Sequence, residues 1–285
     1  ASIALIYWGQ RMFCLDPDSR YIDAIERALY NCVLSGVSYE GSHFFQANPL
    51  ASYPHVSPYD RLDNLASSTY HRRLEWFEVS CCPPNLARLV ASVGAYFYSA
   101  TPERLYVHLY NQNQALVDVG GRQIEIEQQT AYPWDGAILL TITVAEPTRF
   151  ELALRVPGWC RDFRLEVNGR VVSSVAERGY VIIEREWHSG DRLTLTLAMP
   201  VERIVAHPNL RHNAGCTALQ RGPIIYCLEE VDNGAGLANV LLPRDTRLEY
   251  RFDEELFGGV GTITGNALRV APGTWNNDLY QPQAS

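Results

Sequence analysis

The chain has 285 residues, length for about two domains of ordinary size. Its 47% hydrophobic, 20% charged and 11% aromatic content gives a globular protein with material for sizeable cores. A net charge of −8, spread without long acidic runs, speaks against nucleic acid as a partner, and no apolar run reaches the ~18 residues of a membrane-spanning helix.

Residues 1 to about 100 read as helical. "ASIALIYWGQRMF" and "SRYIDAIERALYNCVLSG" carry apolar residues at helical spacing, the second through Tyr21, Ile22, Ile25, Leu29 and Val33. Asp18 or Ser19 is placed to cap the second helix and Gly36 to end it. "NPLASYPHVSPYDRLDN" is a long proline-rich loop of the kind that often carries function. A third helix is expected through "PPNLARLVASVGAYFYSA", with Leu86, Leu89, Val90, Val93 and Phe97 on one stripe. Three helices close a core poorly. The expectation is therefore that they are the C-terminal part of a longer helical domain.

From about residue 101 the period changes to two. Eight segments from "LYVHLYNQ" to "DRLTLTLAMPVERI" read as successive strands, with turns at Gly120-Gly121, Asn168-Gly169 and Gly190-Asp191. This pattern predicts a β-sandwich over 101–203. "CTALQRGPIIYCLEE", "TRLEYRF" and "GTITGNALRV" predict a second β-rich, sandwich-like domain over 204–285. The fold class is thus α+β and multidomain. The β-rich C-terminal end is where two copies could pair as a homodimer.

The chemically distinctive stretch is "FEVSCCPPNLARL". Pro83 and Pro84 suit the first helical positions, where a missing N–H costs no helix bond. Cys81 and Cys82 then sit at a helix entry, where the dipole favours thiolates. A thiolate is both a nucleophile and a soft metal ligand, and two neighbours can share one zinc. Buried packing is the competing reading. Trp76 and Phe77 are candidate sugar platforms or core residues. His43, His55 and His71 are candidates to line a sugar site, and Glu78 to approach a metal or act as acid/base. Cys14, Cys32, Cys160, Cys216 and Cys227 lack metal-ligand spacing. The odd cysteine count and the missing Asn-x-Ser/Thr acceptor lean towards a cytoplasmic setting.

"WFEVSCCPPNLARLVASVGAYFYS" resembles the signature of glycoside hydrolase family 127, the β-L-arabinofuranosidase family. "PDSRYIDAIERALYNCVLSGVSYEGSHFFQANPL", "AYPWDG", "LALRVPGWC", "VNGR", "GYVIIEREWHSGD" and "RGPIIYC" resemble its further landmarks in order, over essentially the whole chain. The resemblance implies an (α/α)6 barrel, of which residues 1–100 would be the last helices, followed by β-sandwich domains. It also implies a retaining glycosidase acting on an arabinofuranoside or related plant-type sugar. In it a zinc-bound thiolate attacks the anomeric carbon and a glutamate serves as acid/base. Matched by motif, Cys81 is the nucleophile and Cys82 a zinc ligand. Glu26 falls in a family segment that faces the barrel interior, with a helix-surface carboxylate as its competing reading, Gln46 stands where relatives often carry tyrosine, and His43 and Trp76 join them as substrate-binding candidates. The family's other two zinc ligands form a Glu-x-Cys tripeptide directly before an Ala-Ser like Ala1-Ser2, and no Glu-x-Cys occurs in this sequence. The expectation is an incomplete zinc site within these residues. It leaves open two other readings: a catalytically inactive carbohydrate-binding or assembly fragment, and a thiol redox or zinc-storage protein.

Overall fold

The computed structural model describes residues 1–45, 72–77 and 81–269. Its contacts divide the chain into two units, Ala1–Pro200 with Gly222–Ile224, and Val201–Arg221 with Ile225 onward. The class is α+β.

In the first unit, helices α1 (Ser2–Leu15) and α2 (Ser19–Ala28) pack together, with α3 (Cys82–Ser92) beside α1. Asp18 caps α2, its side chain accepting from the Arg20 N–H at 3.0 Å. The helical path runs on from α2 through a π turn and a 3-10 turn to Gly36. The predicted stripe on the third helix holds only in part. Leu89 is buried, Val90 is exposed, and the helix tightens into a 3-10 turn over Val93–Tyr96 that turns Tyr96 inward.

Ten strands follow: β1 (Tyr98–Ala100), β2 (Arg104–Val107), β3 (Asn113–Val119), β4 (Arg122–Thr130), β5 (Ala137–Val144), β6 (Thr148–Arg155), β7 (Phe163–Val167), β8 (Arg170–Val171), β9 (Tyr180–Trp187) and β10 (Asp191–Leu197). They form a four-stranded sheet, β1-β2-β6-β9, and a six-stranded sheet, β3-β4-β5-β10-β7-β8. Pairing is antiparallel except between β2 and β6. The two sheets share one core. Leu105, Val107, Leu152, Leu154 and Val181 of the smaller sheet pack with Ile124, Ile126, Leu140, Leu193 and Leu195 of the larger.

The smaller sheet is buried on both faces. Alternate residues of its strands (Tyr106, Ala153, Tyr180) join Ile6, Phe13, Ile22, Ile25 and Leu89 of the helices in a second core. The unit is therefore three layers: helices, a shared sheet and an outer sheet. The strand-to-helix contact is close. Ser19 at the start of α2 donates its N–H to Arg178 O at 2.9 Å. Gly179, at φ +77, leaves space for it, since a Cβ there would stand 1.8 Å from Ser19 Oγ.

In the second unit, β11 (Val201–Val205), β12 (Thr217–Arg221) and β13 (Ile224–Tyr226) form one small sheet, with β13 straddling the division. β14 (Val240–Leu241) pairs with β17 (Leu268–Arg269), and β15 (Glu249–Asp253) with β16 (Val260–Thr264). The described residues of this unit thus form three small sheets, and none of their hydrophobic side chains is fully buried. "DRLTLTLAMPVERI" is two strands rather than one. Pro200, with no N–H to give to a ladder, separates β10 from β11. No helix among the described residues is long and apolar enough to cross a membrane.

Candidate functional site

The site grows from the start of α3. Cys81 is the N-cap residue and Cys82 the first helical residue, so Pro83 and Pro84 fall one position further in than expected. The first four N–H groups of a helix have no intrahelical acceptor, so both prolines are tolerated there. The two sulfurs are 3.6 Å apart, with Cys81 exposed and Cys82 half-buried.

The helix under them is anchored. Leu89 is buried against α1 and α2. The Arg88 guanidinium lies 4.7 Å over the Tyr7 ring of α1 and donates to Asn85 Oδ1 at 2.9 Å. Asn85 in turn donates to Cys81 O at 3.2 Å. This chain of contacts fixes the backbone that carries the thiols. Burial pushes the Cys82 thiol up, and the hydrogen bond and charge of Cys81 push it further. The charge of the Ala1 ammonium works the other way. The helix-entry argument predicts a lowered thiol pKa. For Cys82, burial and its neighbour outweigh it.

The segment before the cysteines is tied down by a bridge of Phe44 to Val37 and Leu74. Phe77 is buried with its ring 5.3 Å from Phe44, so it is a packing residue. Trp76 next to it is 63% exposed, an open aromatic face. His43 shares a hydrogen bond with Ser42 Oγ at 2.8 Å and stands 3.6 Å from Glu75 Oε1. His43, Glu75 and Trp76 thus share a neighbourhood at the ends of the proline-rich loop. Gln46, His55, His71 and Glu78 lie outside the described residues.

Glu26 is elsewhere and does something else. It is 1% exposed, between α2 and the sheets. Its Oε1 accepts from Tyr132 OH at 2.5 Å and from Arg155 Nη2, and its Oε2 from Trp159 Nε1 at 3.1 Å. Arg155, itself fully buried, also donates to Asp23 Oδ1 at 2.6 Å and to His108 O at 2.5 Å. Both oxygens of Glu26, a candidate sugar contact, are engaged by protein donors. Arg155, Asp23, Tyr132 and Trp159 were not singled out from the sequence. The signal was the arginine that ends the apolar run "LALR", at the last residue of β6.

Burial works against the Arg155 charge, but Glu26 and Asp23 hold its pKa well above the ordinary arginine value. Burial also pushes the Asp23 carboxyl up by more than Arg155 draws it down. His108, between Tyr180 OH and Ser99 Oγ at 2.8 Å each, is driven down to about 3 by burial and then by the Arg155 charge. Its folded pKa lies below the ordinary ~6.5 of an unfolded histidine. The unfolded chain therefore binds the extra proton, and the His108 contribution is intact above pH ~6.5 and lost as pH falls towards 3. Urea midpoints measured from pH 7 to pH 4 are expected to fall more steeply for the wild type than for His108→Gln. Equal slopes would remove His108 as a source of acid sensitivity.

Comparison with known proteins gives one family along the chain. A family model described as "Beta-L-arabinofuranosidase, GH127 catalytic domain" matches residues 1–95. The corresponding middle-domain model matches 104–199, and the "Glycoside hydrolase family 127 C-terminal domain" model matches 201–277. A non-reducing end β-L-arabinofuranosidase of Bifidobacterium longum subsp. longum is 34% identical over 283 residues, which cover 94% of this chain and 41% of that protein. The crystal structure of a family 127 β-L-arabinofuranosidase from Geobacillus stearothermophilus T6 aligns with a TM-score of 0.91 at 47% identity, covering 99% of this chain and 44% of that one. A further family 127 β-arabinofuranosidase structure aligns at 0.85 and 34% identity, over 94% of this chain and 42% of its own. The chain thus spans less than half the length of these relatives.

Proposed function

This chain belongs to glycoside hydrolase family 127, and from that premise we propose that it carries the nucleophile of a retaining β-L-arabinofuranosidase-type active site. Cys81 is the nucleophile and Cys82 its partner in holding zinc. The observation that carries this reading is the placement of the two sulfurs, 3.6 Å apart at the start of α3.

The separation fits the metal. Two thiolates each ~2.3 Å from one tetrahedral zinc stand about 3.8 Å apart. Zinc bound there would supply positive charge that keeps both sulfurs deprotonated, against the burial and the neighbouring thiol that raise Cys82. Among the described residues no group of three or more His, Cys, Asp or Glu donors is assembled.

The chain's own contribution to the reaction is the Cys81 sulfur and its support. The Cys81 Sγ lone pair attacks the anomeric carbon, and the bond to the leaving oxygen breaks as that oxygen takes a proton from a carboxylic acid. Water then displaces the sulfur with a second inversion, so the configuration is retained. The hydrogen bond from Asn85 to Cys81 O and the anchoring of α3 by Arg88 and Leu89 keep the sulfur aimed. Trp76 offers an exposed ring for a sugar face, with His43 nearby. The helices are read as part of an (α/α)6 barrel. Leu5, Trp8, Leu34 and Val90 leave apolar surface open on them, as such a packing partner would require. The substrate is an arabinofuranoside or related plant-type sugar, the setting cytoplasmic, and the form a homodimer through the β-rich end.

The test offers the zinc-loaded protein an aryl β-L-arabinofuranoside and measures bound zinc in parallel. Release of the aryl group with retained configuration is expected, together with zinc bound in a form lost in Cys82→Ser. Zinc binding without turnover would move the assignment to the second reading, a silent carbohydrate-binding or assembly fragment, which the two-donor cluster favours.

A further inference from the structure

We propose that Asn233 is a self-modification site: it converts without an enzyme to L-isoaspartate, and Arg269 is placed to receive the carboxylate that this creates. The inference stands on residues of the second unit and is independent of the hydrolase reading.

The chain holds two Asn-Gly dipeptides, Asn168-Gly169 and Asn233-Gly234. Glycine is the following residue that least hinders attack of its own nitrogen on the asparagine side chain, because it carries no Cβ. Both asparagines are exposed, so exposure does not separate them. Their hydrogen bonds do. Asn168 sits at φ 50 in the turn between β7 and β8. Its N–H donates to Arg192 O at 2.8 Å, its Nδ2 donates to Asp191 Oδ1 at 2.7 Å, and its Oδ1 accepts from the Arg192 N–H at 2.9 Å. Both ends of the side-chain amide are thus held by β10, and the amide swings towards Gly169 only by breaking both bonds. Asn233 closes α4 (Glu230–Asn233), a single turn with no buried residue. Its Nδ2 donates to Glu229 O at 2.9 Å, and the Gly234 N–H donates to Glu230 O at 2.8 Å. These bonds belong to one exposed helical turn, which opens as a unit at little cost.

Arg269 of β17 directs the outcome. Its Nη2 donates to the Asn233 carbonyl oxygen at 2.6 Å, and its Nη1 donates to Ala235 O. In isoaspartate the chain runs through Cγ, and this same backbone carbonyl is the group set free as a carboxylate. A guanidinium on its oxygen draws electron density from the carbon, which favours attack of water there over attack at Cγ. It then pairs with the carboxylate formed.

The reaction balances with water as its co-reactant. The Gly234 nitrogen bonds to Asn233 Cγ and gives up its proton. The Cγ–Nδ2 bond breaks and ammonia leaves with that proton, closing a succinimide ring. Water then adds at the Asn233 carbonyl carbon, and the bond from that carbon to the Gly234 nitrogen breaks. Nothing is oxidised or reduced.

The 285-residue protein is incubated in mildly alkaline buffer and sampled over days. Peptide mapping follows the mass gain from exchanging NH for O at each asparagine. An isoaspartyl methyltransferase with labelled S-adenosylmethionine counts isoaspartate, and the synthetic peptide "VDNGAG" and the urea-unfolded protein serve as references. Asn233 is expected to convert about tenfold faster than Asn168 or more, the difference that two hydrogen bonds of ordinary net strength supply. In urea the two rates are expected to converge. The isoaspartate share at Asn233 is expected to exceed that of the peptide, to fall to the peptide's level in Arg269→Gln and to lie between in Arg269→Lys. The comparison of wild type with peptide needs no variant, so it decides the role of Arg269 even where Arg269→Gln fails to fold. Asn168 converting as fast as Asn233 in the folded protein, or an isoaspartate share no higher than the peptide's, would overturn the proposal. A protein that converts at Asn233 but hydrolyses no arabinofuranoside would refute the hydrolase reading and leave this one standing.

Discussion

Replacing Arg155 with alanine is expected to lower the unfolding free energy of the first unit by about 3–5 kcal/mol, the usual cost of stranding a buried charge. Arg155 is 0% exposed, and its guanidinium bonds Asp23 and Glu26 of α2 as well as the His108 carbonyl. Without it Glu26 keeps only the hydroxyl of Tyr132 and the indole N–H of Trp159, and Asp23 keeps the N–H of Gly158. The buried Glu26 and the partly exposed Asp23 would then be left with no counter-charge. The loss should be greatest at neutral pH and shrink as acid protonates them, because a neutral carboxyl is far cheaper to bury. Arg155→Lys keeps the charge but loses the planar fork that reaches both carboxylates, so it should fall between wild type and alanine. Urea denaturation followed by far-ultraviolet circular dichroism measures all three proteins. An Arg155→Ala variant within ~0.5 kcal/mol of wild type would show that the ion cluster does not hold the helices to the sheet.

The second large effect belongs to Cys81. Cys81→Ser is expected to lower the turnover of the proposed arabinofuranosidase reaction by about 10³-fold or more. Serine preserves the size and position of the side chain. Its hydroxyl, however, does not ionise near neutral pH as a thiol does, so the attacking electron pair is lost. Stability should change little, since Cys81 is exposed and the α3 anchors, Leu89 and Arg88, are untouched. The readout is kcat for an aryl β-L-arabinofuranoside at saturating substrate, with the thermal midpoint measured alongside. Wild-type turnover in a folded Cys81→Ser protein would remove the nucleophile assignment. Cys82→Ser separates the two roles. It should weaken zinc binding and reduce turnover through the metal while leaving the Cys81 sulfur in place.

These predictions concern groups that differ in how far the sequence discloses them. The α2 cap at Asp18, the helical path to Gly36, the paired thiols at a helix entry and nearly every strand of residues 104–197 are visible in the linear pattern. They rest on local rules, namely period, capping and turn chemistry, that act over a few residues. Phe77 and Trp76 show where locality ends. Both are aromatic and adjacent, yet one is 7% exposed and the other 63%, because Phe44 crosses to Phe77 and nothing comparable covers Trp76.

What the sequence by itself determined is the change from helices to strands near residue 100, the thiol pair that opens α3, and through its motifs the family. What only the tertiary structure decided is how those parts meet. Glu26 looks like a helix carboxylate until Arg155, 129 residues away, arrives from β6 to bind it. The sheet bearing Arg155 is buried on both faces because helices cover one side and a second sheet the other. The physical reason is common to both. Desolvation and charge pairing act over ångströms in space without regard to distance along the chain, so a residue's burial and its ionic partner are properties of the folded whole.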